Sequence, residues 1–332
     1  MTSHPVALVV GGSRGLGLLV AKELVRRGRR VVVAARTETE LQSAVEQLEL
    51  VRHRALVAGD VHGDSGDLTG PPPAESRVCD VRDRESVRRL VEDVEASVGP
   101  IETVVTVAGI IQVGPAESMT FEHFEDAIDT MTWGPINVAL TVLPHLRERG
   151  HGHIGTVTSI GGMVSPPHLL PYATAKFGAV GFSDGLAAEL QGTGITATTI
   201  VPGLMRTGSH ERAGFTGNAE KEFGWFGPAA SLPGLAMDAE RAARRMVDAV
   251  LAGKPMVMLS PLTHIGVRLR GLMPATTTRV MGLASRLLPG APEGGGHETI
   301  EGREAQGRLD SPVVNALTTW GRRAAERFNE RR

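Results

Sequence analysis

Short apolar runs, many of them β-branched, punctuate the 332-residue chain. They read "PVALVV" from Pro5, "RVVVAA" from Arg30, "SRVC" from Ser76, "TVVTV" from Thr103, "HIGTVT" from His153, "TATTIV" from Thr196 and "PMVML" from Pro255. Between them, apolar residues recur at three- and four-residue spacing. That spacing predicts helices near Leu16–Arg27, Thr39–Leu50, Arg84–Val98, Phe121–Leu146, Tyr172–Leu190 and Asp238–Leu251. Runs that are apolar throughout, not at alternate positions, suit parallel strands buried on both faces. Strands alternating with helices build βαβ units. The expected fold is α/β: a doubly wound, seven-stranded parallel sheet with helices on both faces.

Two segments depart from this rhythm. Residues 58–76 are rich in Gly, Asp and Pro and predict an exposed insertion with little regular structure. From Ser260 onward, apolar and arginine residues mix at helical spacing. A glycine-rich break, "PEGGGHETIEG", follows, and then a final helix from Pro312 to Phe328. Residues 1–259 therefore form the catalytic domain and residues 260–332 a helical C-terminal extension, too poor in core residues to fold alone.

Composition removes several alternatives. A formal net charge of -2 gives no electrostatic reason to expect nucleic acid. The single cysteine, Cys79, excludes an intramolecular disulfide framework. The histidines have no metal-ligand spacing, so no metal is expected. No window reaches the roughly 18–20 apolar residues of a spanning helix. The first residues enter a strand directly, with no room for a cleavable leader. A cytoplasmic protein is expected.

Directly after the first strand comes "GGSRGLG", with glycines at 11, 12, 15 and 17, and then a helix. Glycine suits a backbone that turns sharply and must let a phosphate approach. The helix N-terminus behind it offers free N–H groups and a positive dipole end. In this setting the turn reads as a dinucleotide cradle. An acidic residue at the end of the second strand would select NAD. Here Ala35 and Arg36 stand there, and Arg14 lies within the glycine turn. Guanidinium groups match the two-point geometry of a phosphate, so NADP(H) is the expected cofactor.

"TSIGGMVSPPHLLPYATAK" contains the only tyrosine, Tyr172, with Lys176 four residues later and Ser159 thirteen residues earlier. A helix puts Tyr172 and Lys176 on one face. An ammonium beside a phenol favours the phenolate. Ser159, arriving from a strand end, could bond a substrate oxygen, and the trio could protonate a carbonyl as hydride reaches its carbon.

At this point the residues from Pro5 to Leu259 resemble the short-chain dehydrogenase/reductases, a family with a Rossmann-type sheet. Gly11, Gly15 and Gly17 match its cofactor glycines, and Ser13, Arg14 and Leu16 share that turn. Asp80, followed by Val81, matches the acid that meets the adenine. Ala108 and Gly109 match the end of its "NNAG" stretch. Ser159, Tyr172 and Lys176 match the catalytic trio, the lysine also binding the nicotinamide ribose. Pro202, Gly203 and Thr207 match "PGxxxT", which closes over the nicotinamide. Val10, Thr106 and Val107 depart from the pattern. Met131 stands where the family has an asparagine that holds the relay water. A thioether cannot replace it, Thr132 is turned about 100° round the helix, and Asn137 lies on another face.

In this family the segment after "PG" covers the substrate. Here that lid spans residues 204–237 and concentrates Phe215, Phe223, Trp225 and Phe226. These rings either anchor a surface loop or line an apolar pocket, with Met163 and His168 at its border and glycines letting it move. The resemblance implies a small carbonyl or alcohol substrate and a homo-oligomer. The extension could touch a membrane, although packing on protein is the stronger expectation. The rival to an NADP(H)-dependent carbonyl reductase is an NADP(H)-binding regulatory or scaffold protein with impaired turnover, motivated by Met131.

Overall fold

The structure, a computed structural model, describes residues 4–58 and 72–331. Seven strands form the central sheet: β1 (Val6–Val10), β2 (Arg30–Ala35), β3 (Glu75–Val78), β4 (Ile101–Thr106), β5 (Gly152–Val157), β6 (Ile195–Val201) and β7 (Met256–Met258). Their order is β7-β6-β5-β4-β1-β2-β3, and every pairing is parallel. The expected doubly wound sheet is present. The order reverses between β1 and β4, the switch point where such sheets open a crevice at the carboxyl ends of their strands.

Every residue of β1 is buried, because helices cover both faces. One face packs α1 (Gly15–Arg26), α2 (Glu38–Ala58) and α9 (Ala239–Leu251) through Leu18, Val20, Leu24, Leu41, Leu48, Met246 and Val250. The other packs α3 (Arg84–Asp93), α5 (Gly134–Arg149) and α6 (Leu170–Glu189) through Val87, Val91, Val138, Val142, Leu146 and Leu186. α2 runs beyond the expected Leu50, because its buried face continues from Leu41, Ala44 and Leu48 to Ala55. Residues 59–71, most of the expected insertion, lie outside the described residues. Its last residues, Glu75 and Ser76, belong to β3 and not to a loop.

The helix expected from Phe121 is α4 (Phe121–Ile128) followed by a wide π-helical turn at Asp129–Trp133, and only then α5. α5 ends at Gly150, whose φ of 74° is the left-handed value a helix C-terminus favours.

The segment expected to be a lid, residues 204–237, carries α7 (Ser209–Arg212) and α8 (Ala219–Ser231). It is tied to the extension by a three-stranded ribbon in which Gly214–Phe215 pairs with Gln112–Val113 and with Ile300–Glu301. The extension has two unlike halves. α10 (Pro261–Leu272) and α11 (Pro274–Ser285) are largely exposed, with Leu272 81% and Leu283 62% accessible. α12 (Gly302–Leu309), α13 (Pro312–Leu317) and α14 (Thr319–Arg327) instead return to pack on the lid, where Ala305 joins a third core with Phe215, Phe223 and Phe226. The expected single final helix is thus two, α13 and α14. They break at Thr318, whose buried hydroxyl donates to Val314 O at 2.9 Å and accepts from Gln306 Nε2 at 3.0 Å. Among the described residues no helix is long and apolar enough to cross a membrane, and no cluster of metal-ligating side chains occurs.

Candidate active site

A cavity of about 550 Å³ opens at the carboxyl ends of the strands on both sides of the switch point. The β1–α1 turn forms its floor. Gly11 has φ 85°, and a Cβ there would run into the backbone of Ala108. A Cβ on Gly17 would collide with Gly11 O, and Gly15 has φ 54°. Side chains are excluded so that the turn can fold against β4 and leave a smooth surface above the start of α1.

Around that floor the cavity gathers Ser13, Arg14, Leu16, Arg36, Asp80, Val81, Ala108, Gly109, Pro202, Gly203 and Thr207, along with Gly11, Gly15 and Gly17. The residues expected to hold a dinucleotide therefore line one space, and the hollow left by the glycines fits its diphosphate. Arg14 is not free: Nη1 lies 2.5 Å from Glu40 Oε1, and Ser13 Oγ donates to Glu40 Oε2 at 3.2 Å. Arg212 of α7 also reaches Glu40, at 3.4 Å, and lines the same cavity. Sequence reasoning missed it, because nothing in "SHER" signals that this short helix folds over the glycine turn. Asp80 is held below the usual carboxylate range by its side-chain bonds to Arg82.

Ser159, Tyr172 and Lys176 converge at the other end of the cavity. Ser159 follows β5 and starts a short 3-10 turn, its Oγ accepting from Gly161 N at 3.0 Å. Gly161 carries no side chain because the Tyr172 ring fills that space: a Cβ would stand 2.9 Å from Cε1. Burial pushes the Tyr172 phenol above its usual range, opposed by a hydrogen bond from Ser159. Lys176 Nζ donates to Val157 O at 2.8 Å and lies 5.9 Å from the centre of the Tyr172 ring. Burial lowers its pKa to about 8. The expected acidification of the phenol by the ammonium is therefore not what this state shows. Desolvation raises Tyr172, and the ammonium is turned to a carbonyl.

Met131 is 1% exposed and packs with Ala127, Ala175 and the Tyr172 ring. A Cβ on Gly109 would meet its sulfur at 3.5 Å and Lys176 Nζ at 3.9 Å, so Met131 does stand beside the lysine. Thr132 turns away to donate to Ala175 O, and Asn137 is occupied by Val81 O at 2.9 Å. The wide turn at Asp129–Trp133 brings Thr130 as well as Met131 to the cavity wall. Periodicity of 3.6 residues hides that second residue, because a π turn inserts one extra position.

The lid aromatics divide. Trp225 and Phe226 line the cavity, with Ala229, Ala230 and Leu235. Phe215 and Phe223 are fully buried and pack edge-on at 5.6 Å inside the third core, so they do not line it. A Cβ on Gly227 would meet the Phe223 ring at 2.9 Å, so this glycine serves close packing and not opening. Met163 and His168 lie outside this cavity. His168, with φ 61°, instead bonds the buried Glu222 carboxylate at 2.9 Å, and Glu222 accepts from the Trp225 indole at 2.8 Å.

A phosphate cradle at the switch point and buried hydroxyls at the facing strand ends suit hydride and proton exchange across one crevice, and they define an oxidoreductase of the dinucleotide-binding α/β class. The chain belongs to the short-chain dehydrogenase/reductase family, an NAD(P)-dependent group: the family model for short chain dehydrogenase matches residues 5–70 and 71–214. A putative ketoacyl reductase of Streptomyces coelicolor is 33% identical over 204 residues, 61% of this chain and 71% of that protein. Retinol dehydrogenase 10 of Rattus norvegicus is 30% identical over 281 residues, 81% of this chain and 78% of that protein. Among solved structures, a variant of actinorhodin polyketide ketoreductase with NADPH superposes with a TM-score of 0.63 at 27% identity, covering 79% of this chain and 97% of that one.

Proposed function

We propose that this protein is an NADP(H)-dependent reductase of an apolar ketone or aldehyde. The observation that carries the reading is the convergence of Ser159, Tyr172 and Lys176 at one end of the cavity whose other end is the glycine turn. NADPH bound along that cavity would supply the hydride. Ser159 Oγ donates to the substrate carbonyl oxygen and fixes its place. Tyr172, kept protonated by burial, gives its phenolic proton to that oxygen as the carbon is reduced. Lys176 is held on Val157 O in this state; as a phenolate forms, its ammonium is the nearby positive charge that can stabilise it.

Arg14 and Arg36 support selection of the 2′-phosphate, since no carboxylate ends β2 and both guanidiniums line the cavity. The actinorhodin ketoreductase structure, 27% identical and holding NADPH, is in line with that preference. Trp225, Phe226, Leu204, Leu235 and Leu262 support an apolar substrate; the three leucines are exposed and rim the mouth.

The test is loss of NADPH absorbance with a panel of aldehydes, ketones and quinones. The expected result is turnover with an apolar member of the panel and none with Tyr172→Phe, which still binds NADPH. Tight NADPH binding with no oxidation across the panel would remove the enzymatic reading in favour of a binding role.

A further inference from the structure

Residues Phe328 to Arg331 are built into the glycine turn and its surroundings. Phe328 O accepts from the Gly15 N–H at 2.8 Å, and the Phe328 ring enters the main core. Asn329, with φ 62°, donates from Nδ2 to Ser13 O at 2.8 Å and to Glu40 O at 3.1 Å, and its Oδ1 accepts from Ser43 at 2.9 Å. Arg331 pairs with Glu211 of α7 and with Glu326. Between them Glu330, itself buried, accepts from the Gly208 N–H at 2.6 Å, and a Cβ on Gly15 would stand 3.0 Å from its Oε1. Four residues, Phe328 to Arg331, thus tie the glycine turn, α2 and the start of the expected lid into one clasp. Its carboxyl group lines the cavity with Gly15, Arg14, Thr207 and Arg212.

We propose that Glu330 is a cofactor-site residue: the clasp holds its carboxyl group beside the diphosphate position, and it takes a proton from solvent when the dinucleotide binds. This rests on the dinucleotide reading above. Two anions cannot share a dry space between Gly15 and Gly208 at small cost. A neutral carboxyl group keeps an O–H that can be offered to a phosphate oxygen. The groups facing Glu330 do not neutralise it. Arg14 on the turn and Arg212 on α7 both pair with Glu40, while Glu211 on α7 is a like charge held by Arg331 and Arg303. Burial outweighs the pull of Arg14 and Arg212 and places the pKa at about 7, so the proton is available near neutrality. The buried His210 beside Glu211 is itself pushed down by burial and brings no charge.

The experiment is calorimetric titration of the full chain with NADP⁺ between pH 6 and 9, in buffer pairs of different ionisation heat, compared with Glu330→Gln. At pH 8 the native chain is expected to take up close to one proton per NADP⁺, and its Kd to rise roughly tenfold per pH unit above 7. The variant is expected to take up none from this site and to bind about tenfold more tightly at pH 8, matching the native chain at pH 6. Lys176 titrates at about 8 but is common to both proteins, so the difference isolates Glu330. Equal proton uptake and parallel pH profiles would overturn the proposal while leaving the dinucleotide site standing. Absence of binding by NADP⁺ and NAD⁺ alike would overturn both.

Discussion

The Lys176 ammonium donates to the Val157 carbonyl oxygen, two residues ahead of Ser159, so the helix that carries Tyr172 is pinned to the strand that delivers the serine. That charge is buried at a cost. Its pKa of about 8, against 10.5 in the unfolded chain, means the unfolded chain binds the proton more strongly. Stability therefore rises as pH climbs from about 8 to 10.5. Replacing the lysine removes a charge worth about 3 kcal/mol of strain at pH 7, offset by about 1–3 kcal/mol for leaving the Val157 carbonyl unpaired. Lys176→Met should unfold at equal or slightly higher temperature at pH 7, an advantage that disappears by pH 10.5. Its kcat should fall by roughly 10²–10⁴. Scanning calorimetry at two pH values and steady-state rates check both halves.

Gly161 keeps the phenol in place by having no side chain. Its Cβ would press on Tyr172 Cε1 at 2.9 Å and reach within 3.4 Å of Ser159 Oγ. Gly161→Ala should push the ring from the serine and lower kcat by about 10–10². NADPH affinity should hold, because the glycine turn is at the cavity's other end. An unchanged kcat would mean that the ring shifts without consequence.

Arg14 lines the cavity already paired with Glu40. Releasing it should strengthen 2′-phosphate binding: Glu40→Gln is expected to tighten NADPH several-fold and leave NADH nearly unaffected. Arg36→Ala should weaken NADPH by roughly 10–10², the size of one charge-assisted hydrogen bond of about 1.5–3 kcal/mol. Fluorescence titration with both cofactors measures these. Equal effects on NADH and NADPH would show that neither arginine reads the phosphate.

The sheet and the trio are legible from sequence because each rests on local rules. Apolar runs mark buried strands, and an i, i+4 pair shares a helix face whatever else the chain does. α2 carries its signal further than Leu50, with Ala55 continuing the buried face of Leu48. Other features depend on where distant segments land. Which lid rings face the cavity and which fill the third core follows from how α8 rotates on α12, so Trp225 and Phe223 look alike in the sequence. Thr318 breaks the last helix without glycine or proline, through side-chain bonds to residues on α12 and α13. Arg212 and Glu330 come to the glycine turn from about 200 and 300 residues away along the chain. No spacing rule announces such a meeting.

The clasp also leaves a trace in stability that needs no ligand. A carboxyl group with pKa about 7 in the folded chain and 4.5 when unfolded holds its proton more tightly in the native state. Native stability therefore falls as pH rises from 4.5 to 7 and stays lower above that, by up to about 3 kcal/mol. Glu330→Gln keeps an acceptor for the Gly208 N–H and removes the titration. Its melting temperature should match the native chain near pH 4.5 and exceed it by roughly 3–6 °C at pH 8. Arg14, Arg212 and Glu211 face the carboxyl group in both proteins, so the comparison isolates Glu330. An offset between the two melting curves that is the same at pH 4.5 and pH 8 would show that Glu330 does not titrate between them. The carboxylate would then already be charged in the folded chain at the lower pH, and it would have no proton to take when a diphosphate arrives.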